Sequence, residues 1–201
     1  MLKEYPPFDS SNPTLIRRIV NAYGEMIQER IDEGYEPYLL SIMFKEIRGP
    51  RNGVISQMLE NTATAYDRSL TRIVRNPRSP SQQDKLPIWI ACPDFPVAKG
   101  AKKQLRDVAL NDGLHVHGIA LLPPVNRLKG RGLRLDGHFV NQQRLYAGRG
   151  TQISRIVADP ITQTPKKAVD YSFKALKRGR VTFDDIWIFP RSRDELSLKT
   201  G

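Results

Sequence analysis

Leu114-His115-Val116-His117-Gly118-Ile119-Ala120-Leu121-Leu122-Pro123-Pro124 is the stretch around which the chain is organised. It reads as a short apolar strand. Asn111-Asp112-Gly113 supplies a turn before it and the Pro-Pro pair a stop behind it. Successive strand residues point to opposite faces, so His115 and His117 share one face while Val116 and Gly118 take the other. Two residues along a strand span roughly 6.5 Å. Both imidazoles can therefore lean toward one cation and place a nitrogen about 2.0–2.1 Å from it. A His-x-His pair centred on a strong strand thus predicts a metal site.

Outward from that strand, the elements alternate. Asn12 and Pro13 open a helix with an apolar stripe at the 3.6 period, Leu15 to Ile31, which Gly34 ends. Pro37–Phe44 reads as a buried strand, about 52–75 as a long amphipathic helix, and 76–86 as a polar loop. Arg68, Arg72, Arg75 and Arg78 form a basic stripe near the end of that helix. Pro87–Cys92 reads as a second strand, about 98–110 as a helix, and Thr151–Ile161 as a further strand. The segment 123–150 is basic and weakly periodic, a long loop with room for a short helix around 136–146. Thr164 and Pro165 open a helix that Gly179 stops, and Asp184–Pro190 is a final strand. This order predicts an α+β fold, with helices against a sheet.

The composition narrows the function. At 201 residues with 39% apolar and 26% charged content, the chain suits one globular domain with a real core. A net charge of +11 favours an anionic partner, nucleic acid first. The single cysteine, Cys92, allows no disulfide within the chain, which predicts a reducing, cytoplasmic setting. No apolar run reaches membrane-spanning length, and no Walker A motif is present.

Tyr171-Ser172-Phe173-Lys174 places a tyrosine and a lysine one turn apart on a helix. A tyrosine hydroxyl titrates near pH 10 and is a poor nucleophile unless positive charge stabilises its oxyanion. Lys174 and a divalent cation at the target phosphate would supply that charge.

With these motifs in order, the chain resembles the HUH endonucleases, the rolling-circle replication initiators and relaxases that nick single-stranded DNA. Leu39–Phe44 matches the apolar first motif of that family. His115-Val116-His117 matches the second, and Tyr171 with Lys174 the third. The likeness spans residues 37–180 or so. It implies a central antiparallel sheet with the histidines in its middle and the tyrosine helix beside them. The domain would run over 37–190, after an N-terminal arm and packing helix (1–36) and before a polar tail (191–201).

The resemblance further implies Mg²⁺ or Mn²⁺ on His115 and His117, with Tyr171 as nucleophile and Lys174 stabilising charge. The partner would be single-stranded DNA, such as a hairpin or origin sequence of a mobile genetic element. The family's third metal ligand is open here: Asp94, Glu46 and His138 are the candidates, in that order. Arg127, Lys129, Arg131 and Arg134 are expected to guide the strand. A non-catalytic nucleic-acid-binding protein on the same fold and an unrelated His-x-His metallohydrolase are the competing readings.

Overall fold

The computed structural model describes residues 12–95, 113–162 and 164–191. The expected arm (1–11), the helix at 98–110 and the tail beyond Arg191 lie outside the described residues. The architecture is α+β. A five-stranded antiparallel open sheet, ordered β4-β1-β3-β2-β5, carries helices on both faces. Its strands are β1 (Glu36–Phe44), β2 (Ile88–Asp94), β3 (His115–Leu122), β4 (Ile153–Pro160) and β5 (Trp187–Phe189). The histidine strand β3 is the central one.

The period of 2 divides the apolar residues into two cores. Tyr38, Leu40, Ile42 and Phe44 of β1 share one face with Trp89 and Ala91 of β2 and with Val116, Ala120 and Leu122 of β3. Against this first face pack α2 (Arg51–Ile73) and α3 (Leu135–Asn141), through Met58, Ala65, Tyr66 and Phe139 among others. Ile90, Cys92, Ile119 and Leu121 line the second face. They are covered by α1 (Pro13–Asp32) and by α5 (Pro165–Ser172) and α6 (Lys174–Lys177), through Ile27, Val169 and Leu176. Each such buried aliphatic side chain contributes about 1.5–3 kcal/mol relative to exposure.

Local chemistry sets several boundaries where expected. The Asn12 Oδ1 accepts from the Thr14 and Leu15 backbone N–H groups at 3.0 and 3.3 Å, capping α1, and Gly34 adopts φ +91° just past its end. Among the described residues no helix is long and apolar enough to cross a membrane.

Three sequence expectations change. The segment 123–150 holds the short helical stretch expected around 136–146, but as part of a packed cover rather than a loose loop. Leu128, Leu135, Phe139 and Tyr146 are buried in the first core, and α3 is followed by α4 (Gln143–Tyr146). Glycines and arginines between these anchors dilute the helical period in the sequence. The expected helix from Pro165 breaks at Phe173 (φ −96°, ψ 20°), whose buried ring packs on Tyr23 with centroids 5.1 Å apart. The last strand shrinks to three residues, because Asp185 is drawn into a capping box with Thr182.

Gly118 lets β2 lie close to β3. A Cβ there would sit 2.4 Å from the Ile90 carbonyl oxygen and 3.1 Å from the Ala91 Cα, both backbone atoms that cannot swing aside. The registry it protects also sets Asp94 opposite His115. Gly118→Ala should therefore destabilise the fold by about 1–3 kcal/mol, as overpacking does in close-packed interiors. Chemical denaturation checks this; an unchanged midpoint would show that the two strands have slack at this point.

Candidate functional site

Two cross-strand rows on the second face build the site. One reads Val157, Ser41, His117, Cys92 across β4, β1, β3 and β2; the next reads Arg155, Met43, His115, Asp94. Asp94, the last residue of β2, is thereby brought beside both histidines. The three offer ligand atoms within 4.8 Å of one another, a group that could hold a metal ion. The Asp94 carboxyl is 4% exposed, and the nearest His115 nitrogen, Nε2, lies 3.3 Å from its Oδ2.

The hydrogen bonds fix which nitrogen of each ring faces inward. His115 Nδ1 is 2.7 Å from the Gly113 carbonyl oxygen, which can only accept, so Nδ1 carries the proton. Nε2 then faces the Asp94 carboxylate, and in a neutral ring it would meet it lone pair to lone pair. Two lone pairs at that separation repel unless a proton or a cation stands between them. His117 is fixed in the same sense. The Lys174 ammonium donates to its Nε2 at 3.1 Å, so Nδ1 holds the proton and points at Ser41 Oγ, 3.4 Å away. A backbone carbonyl and a hydroxyl thus orient the two rings as outer partners commonly do for metal-ligating histidines.

The electrostatics follow from burial. Burial alone would raise the Asp94 carboxyl. Hydrogen bonding and positive charge from His115 and Lys174 overcome that and hold it well below the ordinary carboxylate range. The Lys174 ammonium is 2.9 Å from Asp94 Oδ2, and Arg180 approaches Oδ1 at 3.7 Å. His117 is pushed down to about 3, by burial first and then by the positive charges of His115 and Lys174, with Asp94 opposing. It is neutral at pH 7, and its Nε2 lone pair accepts from Lys174.

Tyr171 and Lys174 flank the break at Phe173, and both reach this centre. The Tyr171 ring packs edge-on against His117 with centroids 4.7 Å apart, and the Lys174 ammonium lies 4.7 Å from the tyrosine ring centroid. Tyr171 is 46% exposed and Met43 40% exposed, so the centre opens to solvent on that side.

The other expected site residues lie elsewhere. Glu46 is exposed, its carboxylate held by Arg48 at 3.0 Å, and stands outside the Asp-His-His group. His138 is buried under the first face, with its Nε2 2.8 Å from the Tyr146 hydroxyl. Arg127, Lys129, Arg131 and Arg134 follow the far end of β3. From His115 to Leu122 that strand runs roughly 23 Å. Three of the four have protein partners there: Arg127 donates to the Thr71 carbonyl, Lys129 pairs with Glu36 and Arg134 with Asp136. Ser41, Arg155 and Arg180 escaped the sequence reading. A lone polar side chain inside the apolar run Leu39–Phe44 was the one available signal, and it points to Ser41.

Two outcomes follow for the metal-free and metal-titrated protein. Asp94→Asn should weaken Mn²⁺ binding by more than about tenfold, the lower end of what losing even an outer partner costs. Glu46→Gln should leave it unchanged. Calorimetric titration decides, and the reverse order would move the third ligand to Glu46. In the metal-free protein, unfolded His117 titrates near its ordinary value of about 6.5. Between that value and about 3 the unfolded chain binds a proton that the folded chain refuses. The His117 contribution should thus be complete above about pH 6.5 and decline as pH falls toward 3, by up to about 1.4 kcal/mol per unit. Asp94, depressed in the fold, adds a loss in the same direction at more acid pH. Urea midpoints across this range should flatten in His117→Asn; an equally steep profile would remove His117 as the cause.

Comparison with protein-family models, with curated proteins and with solved structures found no match to this chain, which leaves the geometry of this centre as the ground for a function.

Proposed function

We propose that the chain is a metal-dependent endonuclease that nicks and rejoins single-stranded DNA through a 5′-phosphotyrosine at Tyr171, in the manner of HUH replication initiators. One observation carries the reading. A half-exposed tyrosine packs directly on a histidine of the Asp94-His115-His117 group, while a lysine from the next turn enters the same group.

The donor set fits a divalent cation. One carboxylate and the Nε2 atoms of two imidazoles suit Mn²⁺, and Mg²⁺ with added water ligands. Asp94, His115 and His117 would hold the ion, and when bound it would polarise a phosphodiester as a Lewis acid. The remaining roles belong to the chain. Tyr171 Oη forms a bond to phosphorus as the bond from phosphorus to the 3′ oxygen breaks. The phenolic proton leaves, and the departing 3′ oxygen takes one up. The free 3′-hydroxyl reverses the step on rejoining. Lys174, within reach of the tyrosine ring, favours the oxyanion as the phenol loses its proton. Asp94 Oδ2 and His117 Nε2, which would help hold the ion, are the atoms that Lys174 now contacts, so with those atoms taken the ammonium would be available to Tyr171 and the phosphate. Arg155, at the end of the His115 row, would meet the strand's backbone.

The test is covalent capture. Wild-type protein with Mn²⁺ and a cleavable single-stranded oligonucleotide should give an adduct that survives SDS, with DNA on Tyr171. Tyr171→Phe keeps the ring, so it should retain the fold and DNA binding while losing cleavage by at least about 10³-fold, since it lacks the atom that bonds phosphorus. The other six tyrosines are internal controls, none having a lysine three residues later. An adduct on one of those, or cleavage by the Phe variant, overturns the assignment. Hydrolysis without any adduct would favour a metallohydrolase, and binding without cleavage a silent nucleic-acid-binding protein.

A further inference from the structure

A second basic feature lies on the opposite face, under α3. Arg72, Leu128, Arg131, Leu133, His138, Asn141 and Gln142 line a depression of about 190 Å³. Water occupies about 30 Å³ per molecule in the liquid, so the space suits a phosphate with part of its sugar. No carboxylate lines it. Among the described residues neither Arg72 nor Arg131 has an ion-pair partner, which sets Arg131 apart from its neighbours Arg127, Lys129 and Arg134. His138 is 5% exposed and anchored by Tyr146, so the floor of the depression is firm. The Arg72 charge also reaches it: after burial, that charge is what holds the His138 imidazole below its ordinary range.

Two guanidiniums with two carboxamides beside them, and no acid among the lining residues, form a recognition surface for a planar or tetrahedral oxyanion. Arginine suits this because its fork can give two parallel hydrogen bonds to one phosphate. Solvent exposure leaves both side chains free to turn toward a ligand. We infer that Arg72 and Arg131, with Asn141 and Gln142, form a phosphate-binding site separate from the Asp94-His115-His117 centre. The separation is large. The segment that carries Arg131 follows the end of β3 remote from the histidines, roughly 23 Å along that strand. On a stacked duplex, rising about 3.4 Å per step along each strand, that distance corresponds to some seven nucleotides. A nucleic acid seated here would thus be held well away from the nucleotides at Tyr171. The inference does not depend on the chemistry proposed for that tyrosine.

Metal-free wild-type protein, in EDTA so that no metal-dependent cleavage intervenes, is titrated with three probes: inorganic phosphate, a single-stranded oligonucleotide and its duplex. The His138 ring resonances report on the site, and those of His115 and His117 report on the other face. His138 should shift with at least one probe. Arg72→Gln with Arg131→Gln should weaken that binding at least tenfold. For an oligonucleotide, the salt dependence should also flatten by about 0.7 per lost contact on single strands and about 0.9 on duplex. Saturation by an oligonucleotide, with phosphate acting only weakly, assigns a phosphodiester backbone. Saturation by phosphate alone assigns a free phosphate ligand. Both support the site. Arg17→Gln with Arg18→Gln, exposed on α1, is the charge-matched control. A still His138 with all three probes, unchanged affinity in the Arg72 and Arg131 variant, or an equal loss in the control overturns the inference. Adduct formation at Tyr171 is read separately and bears on none of these outcomes.

Discussion

Everything at the candidate centre depends on how closely β2 can pair with β3. The pairing sets Cys92 opposite His117 and Asp94 opposite His115, and it needs Gly118 to carry no side chain where the Ile90 carbonyl passes. Moved by one residue, β2 would turn Asp94 to the opposite face of the sheet, because side chains alternate with a period of 2. The same pairing buries Trp89 and Ala91 on the first face. A slip would thus cost the core as well as the centre. Stability and site geometry are fixed by one registry.

Burying Asp94 there is costly on its own. A carboxylate taken out of water needs compensation, and here it comes from Lys174, His115 and, at longer range, Arg180. These partners come from β3 and from the segments following the break at Phe173, so the carboxylate ties the helical cover to the end of the sheet. The cover at the centre is therefore electrostatic where elsewhere it is apolar, as in the contact of Phe173 with Tyr23. The Lys174 ammonium contacts the same Asp94 and His117 atoms that could hold a metal ion, so the two would compete for this centre.

The positive charge is also divided by the sheet. Lys174 and Arg180 surround the acid on the second face, while Arg72 and Arg131 border a depression without acids under α3. The first group is paired with Asp94, whereas the second has no ion-pair partner among the described residues. The proposed phosphate site and the proposed cleavage centre follow from that difference in balance rather than from the net charge of +11, which does not distinguish them.

Elements whose signals are local were legible in the sequence. Asn12-Pro13 and Gly34 bound α1, the alternation of His115 to Leu122 placed both histidines on one face, and Tyr171 with Lys174 stood one turn apart. It also put Asp94 first among the candidate third ligands. Other features needed the tertiary structure, because each is a relation between segments distant in the chain. Only strand pairing puts Asp94 beside His115 and Ser41 beside His117, and only helix packing brings Lys174 to both. The arginines and lysine of 127–134 look alike in sequence; the fold separates them by giving Arg127, Lys129 and Arg134 partners from α2, β1 and α3 and giving Arg131 none among the described residues. Local propensity and period act within a few residues, whereas registry and charge balance are decided by what the rest of the chain brings alongside.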